Sequence, residues 1–305
     1  MAPLEPRLPA GAIQRLVEHY PAGAPAWLGG AEATLVRVAR QHGVRLVGYH
    51  DAGWTSVIAV GVDPADRPVI LKALPEPDRF QRELAALQHW DGQGVCRLVA
   101  ADTTAHVLLL EQIGGRAGGV ARPSNHPERV AEALACLHKR PAPAHPAVPR
   151  LADYYRGTVV PRMERRAAQF GHVVGPRRIT AAVRLSRILC VNQQERALLH
   201  ADLYAENVLF GEEGEVVFID PHAVTGSPAF DWAFWIVYYQ PDSGFEERVA
   251  LCARHTPADM TEVLAWVATL AVDGALYYLA TKDPRLDALL AVLASPTVAP
   301  LVVGR

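Results

Sequence analysis

The run His200-Ala201-Asp202-Leu203-Tyr204-Ala205-Glu206-Asn207 is followed, thirteen residues after Asn207, by Asp220 at the end of the apolar stretch 216–219. Of all the features of this chain it constrains the fold most. An acid and an amide five residues apart on one loop, with a second acid closing a neighbouring strand, are hard oxygen donors that can share a divalent cation. They are useful only if two strand ends are brought side by side. Phosphoryl transfer needs such a set: one carboxylate to orient and deprotonate an attacking hydroxyl, and oxygen ligands that hold magnesium against nucleotide phosphates. The expected roles are therefore base for Asp202 and magnesium ligands for Asn207 and Asp220.

The rest of the chain supports a packed globular protein. It has 305 residues, half of them apolar, enough for one large domain or two lobes. Net charge is -2 with no dense Lys/Arg run, so neither a nucleic acid nor an anionic membrane is an expected partner. The first ten residues lack the basic and apolar regions of a secretion signal, and the apolar stretch 263–280 is interrupted by Asp273. A soluble, cytoplasmic protein, monomer or homodimer, is the expectation. Cys96, Cys136, Cys190 and Cys252 lie far apart with no Cys-x-x-Cys pair, and read as reduced core residues.

Residues 44–48, 55–62 and 69–73 read as strands of an antiparallel sheet, with a loop at 50–53 and a turn at 63–68. Residues 78–90 read as an amphipathic helix through Phe80, Leu84 and Leu87, and a strand over 106–110 runs into the Gly-rich stretch 114–119, a plausible hinge. A helix capped by Ser124 or Asn125 is expected to run from Pro127 to Lys139, and helical patterns fill much of the remainder. The architecture implied is α+β: a small antiparallel sheet lobe over 1–111, then a mainly helical lobe over 112–305.

The stretch from Leu198 through Asn207-Val208-Leu209, then Phe218-Ile219-Asp220-Pro221-His222, resembles the aminoglycoside and hydroxyurea phosphotransferase branch of the protein-kinase-like enzymes. In that branch an Asp-Pro pair stands where protein kinases carry Asp-Phe-Gly. The resemblance is sharp over about 200–235, and it implies a two-lobed protein-kinase-like fold, ATP as donor and small-molecule hydroxyls as acceptors. Ala201 departs from it, standing where these enzymes usually have Gly. Val69-Ile70-Leu71-Lys72 resembles the strand carrying the phosphate-binding lysine, and a lysine among apolar neighbours is costly to bury without an anion. A snorkelling surface lysine is the alternative. Glu83 stands where that lysine's partner would be, with Glu76 as competitor. Gly53 and Ser56, in the loop 48–56, can offer backbone N–H groups to phosphates or belong to an ordinary hairpin. Glu111 ends the strand where linker backbone would meet adenine.

Asp231 resembles a carboxylate bracing the catalytic loop, and helix capping is an equally good account. His200 and His222 read as hydrogen bonders and not proton carriers, and Phe230, Trp232, Phe234, Trp235, Tyr238 and Tyr239 as core. Residues 200–305 carry fifteen Asp/Glu against five Lys/Arg, and residues 1–199 seventeen against twenty-five. That asymmetry is either a solvated acidic surface or a basin for a cationic acceptor. Glu206, Asp242, Glu246, Glu247, Asp259 and Asp273 are then candidates to meet its ammonium groups. The expected function is an ATP-dependent kinase of a small molecule, an aminoglycoside first, with hydroxyurea, an amino alcohol, a sugar or another natural product as alternatives. A nucleotide-binding protein without phosphotransfer is disfavoured by the intact Lys72, Asp202, Asn207 and Asp220.

Overall fold

The computed structural model describes residues 7–116, 118–142, 144–191 and 197–303. Residues 1–6, part of the stretch expected to lack a secretion signal, lie outside the described residues, as does Ala117 in the Gly-rich stretch. The chain packs as two compact units: residues 1–123 with 209–219, and residues 124–208 with 220–305.

In the first unit two helices, α1 (Ala10–His19) and α2 (Ala24–Gln41), precede strands β1 (Arg45–His50), β2 (Val57–Val62) and β3 (Pro68–Ala73). Helix α3 (Pro77–Trp90) and strands β4 (Leu98–Asp102) and β5 (Val107–Glu111) follow, and the antiparallel sheet has the order β1-β2-β3-β5-β4. Strand side chains alternate between faces. Leu71 and Ala73 therefore point with Val57, Ala59, Val107 and Leu109 into a core closed by Leu16, Leu35 and Val38 of α1 and α2. Lys72, between them, points the other way, toward α3. α1, α2 and β4 are not among the elements expected from the sequence. The two helices carry their own signal in Ala12 and Leu16, and in Ala31, Leu35, Val38 and Ala39, all buried at helical spacing. β4 is only half buried along its length, which leaves no clean alternation to find.

The segment 209–219 joins this unit across a long stretch of chain. It is a hairpin of β7 (Val208–Phe210) and β8 (Val216–Phe218). Phe218 exchanges backbone bonds with Gly94 (2.8 Å) and Cys96 (3.1 Å), and Phe210 accepts from the Val120 N–H at 2.8 Å. Both phenylalanine rings are buried.

The second unit is helical: α4 (His126–Leu137), α5 (Leu151–Tyr154), α6 (Val160–Val174) and α7 (Pro176–Val191), then α8 (Ala229–Tyr238), α9 (Phe245–His255), α10 (Met260–Thr281), α11 (Leu286–Ala294) and α12 (Ala299–Val303). A short two-stranded ladder of β6 (Ala197–Leu199) and β9 (Val224–Gly226) is set among them. A single π-helical turn, Tyr155–Val159, joins α5 to α6. All ten residues of α8 are buried, so the aromatic set at 230–239 is core, as expected. Trp266 of α10 packs edge-on against Tyr155 (4.8 Å) and Phe230 (5.1 Å), within the range at which aromatic pairs attract. α10 is the one helix among the described residues long and apolar enough to cross a membrane, and 78% of its most apolar window is packed inside the unit. Cys96 and Cys252 are buried thiols, whereas Cys136 is exposed; none of the four is in a disulfide. Burial pushes the Cys252 thiol up to about 12.

α8 approaches α10 closely because residue 274 has no side chain. A Cβ there would lie 2.5 Å from the Tyr238 hydroxyl and 2.7 Å from Leu289 Cδ1. That hydroxyl donates to the Leu270 carbonyl at 2.7 Å. Gly274→Ala gains helix propensity of about 1 kcal/mol but overpacks a closed site, which costs about 1–3 kcal/mol. We expect net destabilisation, read as a lowered urea midpoint with unchanged slope; a midpoint at or above the parent's would contradict this packing.

Candidate active site

β6 ends at Leu199, and its antiparallel ladder with β9 pairs Leu199 with Val224. One residue further on, the His222 N–H donates to the His200 carbonyl at 2.9 Å. Asp202 and Asp220 therefore leave the ladder from neighbouring strand ends, two residues beyond this bond on each chain.

The turn carrying Asp202 is held from below by Asp231, in the first turn of α8. Asp231 has no solvent exposure. Its Oδ2 accepts the His200 N–H and its Oδ1 the Ala201 N–H, each at 2.8 Å. His138 Nε2, just after α4, contacts Oδ2 at 2.9 Å. The first N–H of α8 is met by Ser227 Oγ at 3.4 Å and not by Asp231, so bracing is the role observed for Asp231. His200 is fully buried, and its Nδ1 accepts the Asp202 N–H at 3.3 Å. That bond helps to orient the loop.

Asn207 points back at Asp202. Its Nδ2 donates to the Asp202 carbonyl at 2.8 Å and to Asp202 Oδ2 at 2.9 Å. Both amide hydrogens are thereby spent, and the group left to face a cation is the amide oxygen. Among the described residues no three His, Cys, Asp or Glu side chains converge as a metal cage. Magnesium does not require one, since it is usually bound through one or two protein oxygens, substrate phosphates and waters. The amide oxygen of Asn207 and the carboxylate of Asp220 fit that ion.

Two residues of this segment adopt left-handed backbone, Ala201 and Asp220, each with φ of 59°. An Asp tolerates that region, whereas an Ala does so at about 1 kcal/mol or more. Glycine has no such cost, which accounts physically for the usual residue at position 201. The Asp231 bond to the Ala201 N–H holds the strained turn in place.

In the first unit, Lys72 Nζ lies 2.7 Å from both Glu83 oxygens, and both side chains are buried. Lys72 is therefore not a surface lysine. Glu83, from the middle of α3, is its partner, and Glu76 is exposed at the start of that helix. Gly53 is buried, and a Cβ on it would collide with the Ser56 carbonyl, so the loop closes this tightly only with glycine there. Ser56 is 2% exposed. Glu111 ends β5, where its N–H donates to the Arg97 carbonyl (3.1 Å) and its Oε1 accepts the Arg97 N–H (2.6 Å). Its side chain and N–H are thus committed to the sheet.

Around Asp202 the second unit is aromatic. The Tyr204 ring packs on Tyr238 (5.1 Å) and Phe234 (5.2 Å). Burial pushes the Tyr204 hydroxyl well above its ordinary range, and the charges of Tyr238 and Asp202 add to the shift, so it stays protonated. Arg166 stacks on Tyr277 at 4.8 Å, and Arg285 on Tyr278 at 4.9 Å.

Three of the six acids named for a cationic acceptor are engaged in other contacts. Asp273 is buried in α10 and paired with Arg162 (2.5 Å) and Arg166 (3.6 Å) of α6. Asp259 caps α10 through the Thr261 N–H, and Glu246 accepts from the Thr297 hydroxyl. Asp242, Glu246 and Glu247 line a surface cavity of about 400 Å³ beside α11. Glu206 alone lies in the catalytic segment, exposed. By unit the charge asymmetry disappears: the first unit has fifteen acidic and twelve basic residues, the second seventeen and eighteen. His138, Arg162 and Arg166 had no sequence signal, since each works through a tertiary contact with a residue 93 to 111 positions away.

A family model described as aminoglycoside/hydroxyurea antibiotic resistance kinase matches residues 42–279. A streptomycin 3''-kinase of Klebsiella pneumoniae is 28% identical over 225 residues, 68% of this chain and 78% of that protein. A hydroxyurea phosphotransferase of Kitasatospora aureofaciens is 28% identical over 230 residues, 73% of this chain and 66% of that protein. Among solved structures, a macrolide 2'-phosphotransferase type I aligns with a TM-score of 0.54 and 20% identity, covering 86% of this chain and 96% of its own. Choline kinase LicA from Streptococcus pneumoniae aligns at 0.60 and 13% identity, covering 86% and 98%. These structures share the protein-kinase-like fold of small-molecule phosphotransferases. The chain belongs to the aminoglycoside/hydroxyurea antibiotic resistance kinase family and is a small-molecule phosphotransferase.

Proposed function

We propose that the protein transfers the γ-phosphoryl group of ATP to a hydroxyl of a small molecule with Asp202 as base. The observation that carries this reading is the doubly fixed Asp202 turn: Asp231 holds the two backbone N–H groups before it, and Asn207 grips its carbonyl and carboxylate. A base so held loses little freedom on reaching the transition state.

The acceptor oxygen attacks the γ-phosphorus in line while Asp202 takes its proton. The bond from that phosphorus to the β,γ-bridging oxygen breaks, and the electron pair leaves with ADP. Lys72, fixed by Glu83, neutralises phosphate charge, and the Gly53 and Ser56 backbone N–H groups receive phosphate oxygens. Backbone groups of the segment after Glu111 receive adenine. Magnesium held by Asn207 and Asp220 would supply further charge neutralisation.

For the acceptor, the resemblance to streptomycin kinases supports an aminoglycoside. A second reading, a neutral hydroxylated acceptor, is favoured by the pairing of Asp273 with two arginines and the near-neutral second unit. The hydroxyurea phosphotransferase among the relatives agrees with it.

ADP release, coupled to NADH oxidation and measured against streptomycin, other aminoglycosides, hydroxyurea, amino alcohols and neutral sugars at fixed ATP, decides between them. Turnover with an aminoglycoside and with no neutral compound supports the first reading; the reverse supports the second. Asp202→Ala is expected to lower kcat by about 10²–10⁴-fold, the usual weight of a positioned base, with ATP binding retained. Full turnover by that variant would remove Asp202 from the mechanism.

A further inference from the structure

We infer that Arg15 is a positioning residue for nucleotide binding, clamping the loop between β1 and β2 against α1; the inference rests on the reading of Gly53 and Ser56 as phosphate contacts. Arg15 lies outside the family match at 42–279.

One side chain holds three of four consecutive loop residues. Arg15 Nε donates to the Gly53 carbonyl at 3.1 Å, and its terminal nitrogen to Asp51 Oδ1 at 2.6 Å. Its guanidinium lies 5.8 Å from the centre of the Trp54 ring. These are three uses of a planar fork that a lysine ammonium cannot reproduce together. The platform is rigid, because Ala12 and Leu16 of α1 are buried. It is also shaped for the loop: one turn before Arg15, the Asp51 oxygens lie 2.8 Å from where a Cβ on Gly11 would stand. Gly11 and Arg15, four apart, thus share a helical face made for Asp51.

Gly53 is where this matters. Its carbonyl is fixed by Arg15, and its Cα is packed so closely on Ser56 that no side chain fits. The direction of the N–H groups that follow depends on which way that peptide is turned. Trp54 is 64% exposed and makes no core contribution that would hold the loop instead. Without the clamp, a loop that must present its N–H groups in one geometry would be ordered by the nucleotide, at the expense of affinity.

The test titrates MgATP into the full chain by calorimetry, which needs no acceptor. Arg15→Ala is expected to raise the dissociation constant about tenfold, and Arg15→Lys and Asp51→Asn by about threefold each, since each leaves part of the clamp. The thermal midpoint should stay within a few degrees of the parent's, since the Arg15–Asp51 pair is open to solvent on the Asp51 side and such pairs add little to stability. With any acceptor that turns over, KM for ATP should rise while kcat at saturating ATP and KM for the acceptor hold. A folded Arg15→Ala or Arg15→Lys chain that binds MgATP as tightly as the parent overturns the proposal. Gly53→Ala tells which reading has failed. If it weakens binding while the Arg15 variants do not, the clamp alone is wrong; if neither does, the phosphate loop falls with it.

Discussion

The buried carboxylate of Asp231 is the contact on which the catalytic segment depends. It has no solvent exposure and three partners against it, two backbone N–H groups and His138 Nε2. Hydrogen bonds to a charged acceptor are about twice as strong as neutral ones, and leaving such an acceptor unsatisfied is expensive. Helix α8, completely buried, thereby passes its position to a turn that is partly exposed. The turn can afford a left-handed alanine because this bond over-determines its backbone.

The same design appears in the first unit in another form. Lys72 and Glu83 make an ion pair inside the sheet–helix layer, in which each charge offsets the cost of burying the other. The Asp202 loop held by one buried acid and Lys72 held by another follow one rule. The functional group is carried on a rigid element, and its partner is taken out of water.

The parts of this site that were legible in the sequence are those whose chemistry is local. Asp202 and Asn207 sit on one loop, Asp220 closes an apolar strand, and Lys72 stands out among Ile70, Leu71 and Ala73. The period-two run of β2 and β3 and the aromatic density of α8 gave the architecture for the same reason. Long-range contacts leave no such mark: His138 reaching Asp231, and Arg162 reaching Asp273. Net charge misled in a related way. The acidic final third mixes Glu212, Glu213 and Glu215, which fold with the first unit, with Asp273, which is neutralised by two arginines from α6. A charge count along the chain acquires electrostatic meaning only once it is sorted by which residues share a folded unit.

The hairpin at 209–219 has a bearing on how the protein is made. The first unit lacks Phe210 and Phe218, and the backbone pairing of Gly94, Cys96 and Val120, until the ribosome has passed residue 219. At about 5–20 residues per second, the stretch 124–208 occupies about 4–17 s of synthesis. Through that interval the sheet unit lacks the two buried phenylalanines and the strand pairing that complete its packing, so its last packing step waits until much of the second unit has been translated.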